Sequence, residues 1–171
     1  MHLADFIRNV PDFPKKGIIF KDITTLLKHP EAFQATAQAL FEQVRHLPIT
    51  KVVGIESRGF IFGAVLAEKL RAGFVPIRKP NKLPAAVYSQ SYTLEYGQDA
   101  IQMHQDAIQP GDYVLLHDDL LATGGTAKAA CQLIEQAGGK VVLISFVIEL
   151  VFLNGRKELT DYPVQSLITY S

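Results

Sequence analysis

A chain of 171 residues, 48% hydrophobic and 20% charged, carries enough apolar material for one sizeable core and sits inside the ordinary globular range. Seventeen basic and seventeen acidic side chains cancel, which excludes the basic excess of a general nucleic-acid or membrane-surface binder and leaves any anionic ligand to local clusters. One cysteine excludes an intrachain disulfide, the five histidines show no metal-ligand spacing, and no apolar run reaches membrane length or signal-peptide form, so a cytoplasmic, single-domain protein is the default expectation.

Leu3, Phe6, Ile7 and Val10 stand at helical spacing and predict a short amphipathic helix over 3–10, ended by Pro11 and Pro14. Residues 17–22, GIIFKD, read as an edge strand. The clearest amphipathic helix covers 30–47, with Phe33, Ala37, Leu40, Phe41, Val44 and Leu47 on one face and Pro30 suited to the first turn. A buried strand follows at 52–55. Glu56-Ser57-Arg58-Gly59 then opens a helix over 59–70 that is apolar nearly all round. Ser57-Arg58-Gly59 has two readings, a helix cap with a surface arginine or an anion site with Arg58 as a bidentate donor. A third strand at 73–77 runs into Arg78, Lys79 and Lys82, either a solvated edge or a seat for a polyanion.

Residues 83–106 break this rhythm. They are polar and alternating, with Val87, Ser89, Ser91 and Thr93 followed by Ile101 and Met103, and predict an antiparallel hairpin that could serve as a lid. Gln109-Pro110-Gly111-Asp112 suits a type II turn. The stretch 114–126, VLLHDDLLATGGT, is the richest in the chain. A short apolar strand ends at two adjacent carboxylates, Asp118 and Asp119. Ala122, Thr123, Gly124, Gly125 and Thr126 then open a helix over 124–137, in which Cys131 takes a core position. Small residues at a helix start leave several backbone N–H groups free to meet a phosphate, the helix dipole favours that charge, and the threonines add hydroxyl donors. Carboxylates beside a phosphate need a different partner, and vicinal hydroxyls can donate to them. A sugar 5-phosphate with free 2- and 3-hydroxyls has both features. A plain strand-to-helix turn beside solvated acids is the alternative; neither a Walker A loop nor GxGxxG is present. Strands at 140–148 and 164–170 complete a βα pattern. It predicts an α/β fold, a parallel twisted sheet flanked by helices, with all three candidate anion sites at strand carboxyl ends.

HDDLLATGGT at 117–126 resembles the ribose-phosphate signature of type I phosphoribosyltransferases, and PDFPKKGIIFKDIT at 11–24 resembles the N-terminal segment of the adenine-specific members. ESRGFIFG at 56–63 is similar to their pyrophosphate loop and YTLEYG at 92–97 to their flexible β-hairpin hood. The resemblance spans roughly 5–170. It implies that adenine and 5-phospho-α-D-ribose 1-diphosphate give AMP and diphosphate in purine salvage, in a homodimer, with Mg²⁺ held mainly by the substrate diphosphate. Phe20 would stack on the base, Ile19 and Lys21 would offer backbone contacts, and Leu150 would cover the other face. Lys21 stands where the family often has Arg, a change that matters only if the side chain is used. Ser57, Arg58, Arg78, Lys79, Lys82 and Tyr96 would serve the diphosphate, and Ala122 to Thr126 the 5-phosphate. Asp118 and Asp119 would hold the ribose hydroxyls, and Glu95 would be the active-site acid. No nucleic acid or membrane partner is implied. A sister enzyme for another base and a sugar-diphosphate-sensing regulator are the rival readings.

Overall fold

The computed structural model describes residues 1–94 and 97–171, and their packing forms two units, 1–39 and 40–171. In the first unit the predicted helix over 3–10 does not form. Leu3–Phe6 makes one 3-10 turn, and the chain then extends into β1 (Arg8–Pro11), paired antiparallel with β2 (Ile19–Asp22). Eight residues are too few to hold a helix through local hydrogen bonds alone, and β2 supplies a ladder in its place. The Arg8 guanidinium donates to the Asp22 carboxylate at 2.6 Å, as do the Thr24 amide and hydroxyl at 2.9 and 2.7 Å. Burial would raise the Asp22 carboxyl, but these donors outweigh it and hold it at about 2. A single turn, α1 (Thr24–Leu27), precedes α2 (Pro30–Val44). The regular part of α2 stops short of the expected Leu47, because Pro48 disfavours helical geometry in the residue before it.

The second unit holds β3 (Lys51–Ile55), α3 (Gly59–Leu70), β4 (Gly73–Ile77), β5 (Val87–Thr93), β6 (Gln98–His104), β7 (Tyr113–Leu121), α4 (Gly125–Gln136), β8 (Lys140–Leu150) and β9 (Val164–Tyr170). Five strands form one sheet in the order β4-β3-β7-β8-β9, every pairing parallel. The near-continuous apolar runs of β3, β7 and β8 are those of strands covered on both faces. Val53, Ile55, Val114 and Leu116 pack with α4. Gly54 and His117 face the other way, both near Gly63 of α3. His117 is fully buried, and burial lowers it to about 4, so it is neutral at pH 7.

Two differences bear on the site. β7 runs on through both acids to Leu121, past the expected end of the strand. Its neighbour β8 has eleven residues and keeps the ladder going, with Asp118 opposite Phe146 and Leu121 opposite Glu149. The β5–β6 hairpin forms as expected, in register from Val87 with His104 to Thr93 with Gln98. It lies on α4, where Tyr88 and Tyr92 meet the core, and an Arg78–Gln102 bridge ties it to the end of β4. Between β8 and β9 the chain makes two 3-10 turns, Val151–Leu153 and Gly155–Leu159, around a left-handed Asn154. Among the described residues no helix is long and apolar enough to cross a membrane.

Candidate active site

The loops after β3, β4 and β7 open onto one cavity of about 380 Å³ at the carboxyl edge of the sheet, lined by Glu56, Ser57, Arg58, Lys79, Tyr92, Asp118, Asp119 and Thr126 among others. Parallel strands bring their carboxyl ends to one side, so segments far apart in sequence converge there. The acids come from β7 and the arginine from the start of α3. Arg58 Nε donates to Asp119 Oδ2 at 2.6 Å, and the Asp119 amide donates to Asp118 Oδ1 at 2.8 Å. Burial, and then the charge of Asp119, push the Asp118 carboxyl well above its ordinary value, and Arg58 offsets only part of this. The close approach of α3 to β7 requires Gly59: a Cβ there would stand 2.9 Å from Asp118 Oδ1 and 3.1 Å from the His117 carbonyl oxygen.

Residues 122–126 pass from β7 into α4. Gly124 has φ +90 and a Cβ on it would lie 2.5 Å from the Gly155 carbonyl oxygen, so the turn excludes a side chain on both counts. The first amides of α4 lack intrahelical acceptors by construction and carry the positive end of the dipole. Ala122, Thr123, Gly124 and Thr126, with Asp118 and Phe146, surround a smaller cavity of about 80 Å³. Asp118 and Thr126 line both spaces, so the acid pair and the helix start are contiguous.

The cations are already balanced. Arg78 Nε donates to Glu56 Oε1 at 3.0 Å, and the Lys79 amide donates to the same oxygen at 3.1 Å. Burial would raise the Glu56 carboxyl, and these donors hold it below the usual range. Lys79 Nζ pairs with Asp99 and donates to the Tyr92 hydroxyl at 3.2 Å, which joins the sheet edge to the hairpin. Lys82 is exposed. Of the expected diphosphate residues, Ser57, Arg58 and Lys79 thus line the larger cavity, while its described lining does not include Arg78 or Lys82. Glu95 and Tyr96 lie outside the described residues. On β2, Ile19 is exposed, the Phe20 ring meets Phe13 edge-on at 5.2 Å, and Lys21 Nζ donates to Asn9 Oδ1 at 2.7 Å. Leu150 ends β8 and is buried.

The phosphoribosyl transferase domain family matches residues 22–167 of the chain. The adenine phosphoribosyltransferase of Chloroflexus aurantiacus is 59% identical over 98% of this chain and 97% of its own length, and that of Gloeobacter violaceus is 58% identical over 99% and 100%. The chain belongs to the adenine phosphoribosyltransferase family. Membership makes it an enzyme that transfers phosphoribosyl groups. The crystal structure of the Rhodothermus marinus family member superposes with a TM-score of 0.94 at 56% identity, covering 98% of this chain and 96% of that one. The Saccharomyces cerevisiae member, complexed with adenine and an imino-altritol bisphosphate, superposes with a TM-score of 0.91 at 41% identity, with 96% of each chain covered.

Several residues around this phosphoribosyltransferase cavity were not singled out from sequence. Glu56 organises Arg78 and Lys79 from the first position of ESRG, and its place at a strand end beside Arg58 was the available signal. Tyr92 opens YTLEYG, but alternation alone marks it as a strand residue facing α4. Asp99, and Gly155 behind the 122–126 turn, carried no local signal; only the packed chain brings them to the site.

Proposed function

We propose that this enzyme joins adenine to the pentose of 5-phospho-α-D-ribose 1-diphosphate, releasing diphosphate and forming AMP in purine salvage. The observation that carries the reading is the convergence of Asp118, Asp119, Arg58 and the start of α4 on two cavities that share Asp118 and Thr126, in a chain whose relatives are named adenine phosphoribosyltransferases. Breaking the anomeric C–O bond builds positive charge on the ribose ring and negative charge on the departing diphosphate. Asp118 and Asp119 accept hydrogen bonds from the 2- and 3-hydroxyls and favour the cationic ring. The half-buried Asp118, held above its ordinary range by desolvation and the neighbouring Asp119 charge, gains from those hydroxyls. Ala122 to Thr126 hold the 5-phosphate, so that adenine N9 meets C1 at a productive distance. Ser57, Arg58, Arg78, Lys79, Lys82 and Tyr96 are assigned to the diphosphate. For the three cations paired in this structure, that role means exchanging Asp119, Glu56 and Asp99 for phosphate oxygens.

Glu95 is assigned the proton leaving adenine N9. The hairpin closes over the bound sugar and keeps water from intercepting the cation. Adenine contacts are assigned to Ile19, Phe20 and Lys21 and, separately, to Leu150, each to be tested by its own substitution. Among the described residues no cluster of three or more His, Cys, Asp or Glu side chains could hold a metal by itself. The carboxylates of Asp118 and Asp119 are hard oxygen donors beside the cavity, a set that fits Mg²⁺ carried in largely by substrate oxygens. When bound, the ion would supply charge neutralisation on the diphosphate. A homodimer, carried by the resemblance, and a cytoplasmic location, the default of the sequence reading, complete the proposal.

AMP formation from adenine and the sugar diphosphate, with and without Mg²⁺, tests it directly. Adenine should give the highest kcat/KM when compared with hypoxanthine, guanine, xanthine and orotate. Preference for another base would make this a sister enzyme. No turnover with any base, together with a gel shift on nucleic acid, would favour the regulator, which the zero net charge disfavours.

A further inference from the structure

One partly buried network, built on a buried carboxylate, reaches the 122–126 turn from behind, outside the residues that line the cavity. Glu149, next to the end of β8, is only 4% exposed yet carries a carboxylate. Arg156 grips it with a fork, Nε to Oε1 at 2.8 Å and Nη2 to Oε2 at 2.9 Å. The Ser166 hydroxyl of β9 donates to Oε2 at 2.7 Å, and Arg156 Nη1 donates to the Val164 carbonyl at 3.0 Å. The Arg156 donors hold the Glu149 carboxyl below its usual range against burial. With the Arg156 side chain half exposed, the ion pair by itself is weak evidence of stabilisation. A fork adds a fixed orientation of the arginine and of the segment that bears it.

That segment is the support of the turn. Gly155 precedes Arg156 and Glu158 follows two residues later. A Cβ on Gly124 would stand 2.5 Å from the Gly155 carbonyl oxygen and 3.0 Å from Glu158 Cβ, and a Cβ on Gly155 would stand 2.5 Å from the Ala122 carbonyl oxygen. Backbone lies against backbone here, with the Leu121 and Glu158 side chains packed beside it. The exposed Lys128–Glu158 pair at 3.4 Å adds little to this contact.

We propose that Glu149, Arg156 and Ser166 are positioning residues that set the place of the 122–126 turn, and through it the affinity for the 5-phosphate of substrate and product. The inference rests on the reading of that turn as the phosphate cradle. It is tested by calorimetric titration of the full-length protein with ribose 5-phosphate and, separately, with inorganic diphosphate. Arg156→Met should weaken ribose 5-phosphate binding about tenfold while diphosphate affinity moves by less than about twofold, since displacement of a positioning group acts on the ligand it orients. Arg156→Lys keeps the charge without the fork and should fall between wild type and Arg156→Met, with Ser166→Ala showing the smallest loss. Unchanged ribose 5-phosphate binding, or equal weakening of both ligands, overturns the inference. Should Arg156→Met fail to fold, Arg156→Lys and Ser166→Ala decide by the same criterion. Thr126→Ala separates the two readings. If it leaves ribose 5-phosphate binding intact, the cradle reading itself falls. If it weakens binding while Arg156→Lys does not, only the positioning role falls.

Discussion

Two aspartates along the β7 segment, Asp112 just before the strand and Asp118 in its carboxyl-terminal half, are in opposite states. At the amino-terminal end Asp112 accepts from the Thr50 hydroxyl at 2.8 Å, the Gln109 amide at 2.9 Å and Lys51 Nζ at 3.1 Å. Burial would raise its carboxyl, but these donors hold it below the ordinary range. In the carboxyl-terminal half of the strand, half-buried Asp118 lies beside a second, buried acid, and its carboxyl stands well above that range. One segment therefore shows an acid that fastens the fold and an acid held at a cost to it. A satisfied carboxylate has little left to offer a ligand, whereas an under-satisfied one gains by meeting hydroxyl donors. The difference is the one expected if the carboxyl edge of the sheet is the binding edge.

Substitutions can break or sharpen that contrast. The largest effect is expected at Asp119→Asn, which removes the charge assigned to the ribose and the partner of Arg58. The kcat for AMP formation should fall by roughly 10²-fold or more, with a smaller rise in the KM for the sugar diphosphate. A near-normal kcat would remove its assigned role. Gly59→Ala comes next, because its methyl group would press on Asp118 Oδ1 and the β7 backbone. Activity should drop about tenfold, as expected for a small displacement of positioned groups, and steady-state assays below the melting transition would detect it.

Asp112→Asn should leave kcat unchanged and cost about 1–3 kcal/mol in urea unfolding at pH 7, the range for disrupting a charged hydrogen-bond cluster. The sign follows from the lowered folded-state value. The contribution is present above the unfolded carboxylate range and is lost as pH falls through the folded value, so mutant and wild type should converge in acid. Asp118→Asn should do the reverse. Its folded value is raised, so the penalty is absent in acid and grows as pH rises from the unfolded value toward the folded one. The variant should melt about 2–4 °C higher near pH 8, the shift that ~1 kcal/mol gives in a domain of this size, with the gap closing near pH 4 and with reduced activity. A variant less stable than wild type at pH 8 would show that the two aspartates do not differ as described.

Much of this architecture was legible from the chain. The strands at 52–55, 73–77, 140–148 and 164–170, the helices after 59 and 124, and the hairpin within 83–106 all announce themselves by periodicity and turn residues within a few positions. The paired acids Asp118 and Asp119 and the small-residue turn before α4 were visible in the same way, because helix starts and adjacent carboxylates are local features. The chain alone did not set the length of β7, which depends on an eleven-residue neighbour, or the state of 8–11, where pairing with 19–22 replaced an expected helix. Nor did it assign partners: Arg58 meets Asp119 across 61 positions of sequence, and Arg78 meets Glu56 across 22. Periodicity and turn preference come from interactions among near neighbours, so the sequence determined most of the segments that become strands and helices, and the turn that opens α4. Ion pairing, the raising of Asp118 and the bracing of Gly124 by Gly155 depend on distances that exist only once the sheet has brought remote segments to one edge, and those were decided by the tertiary structure.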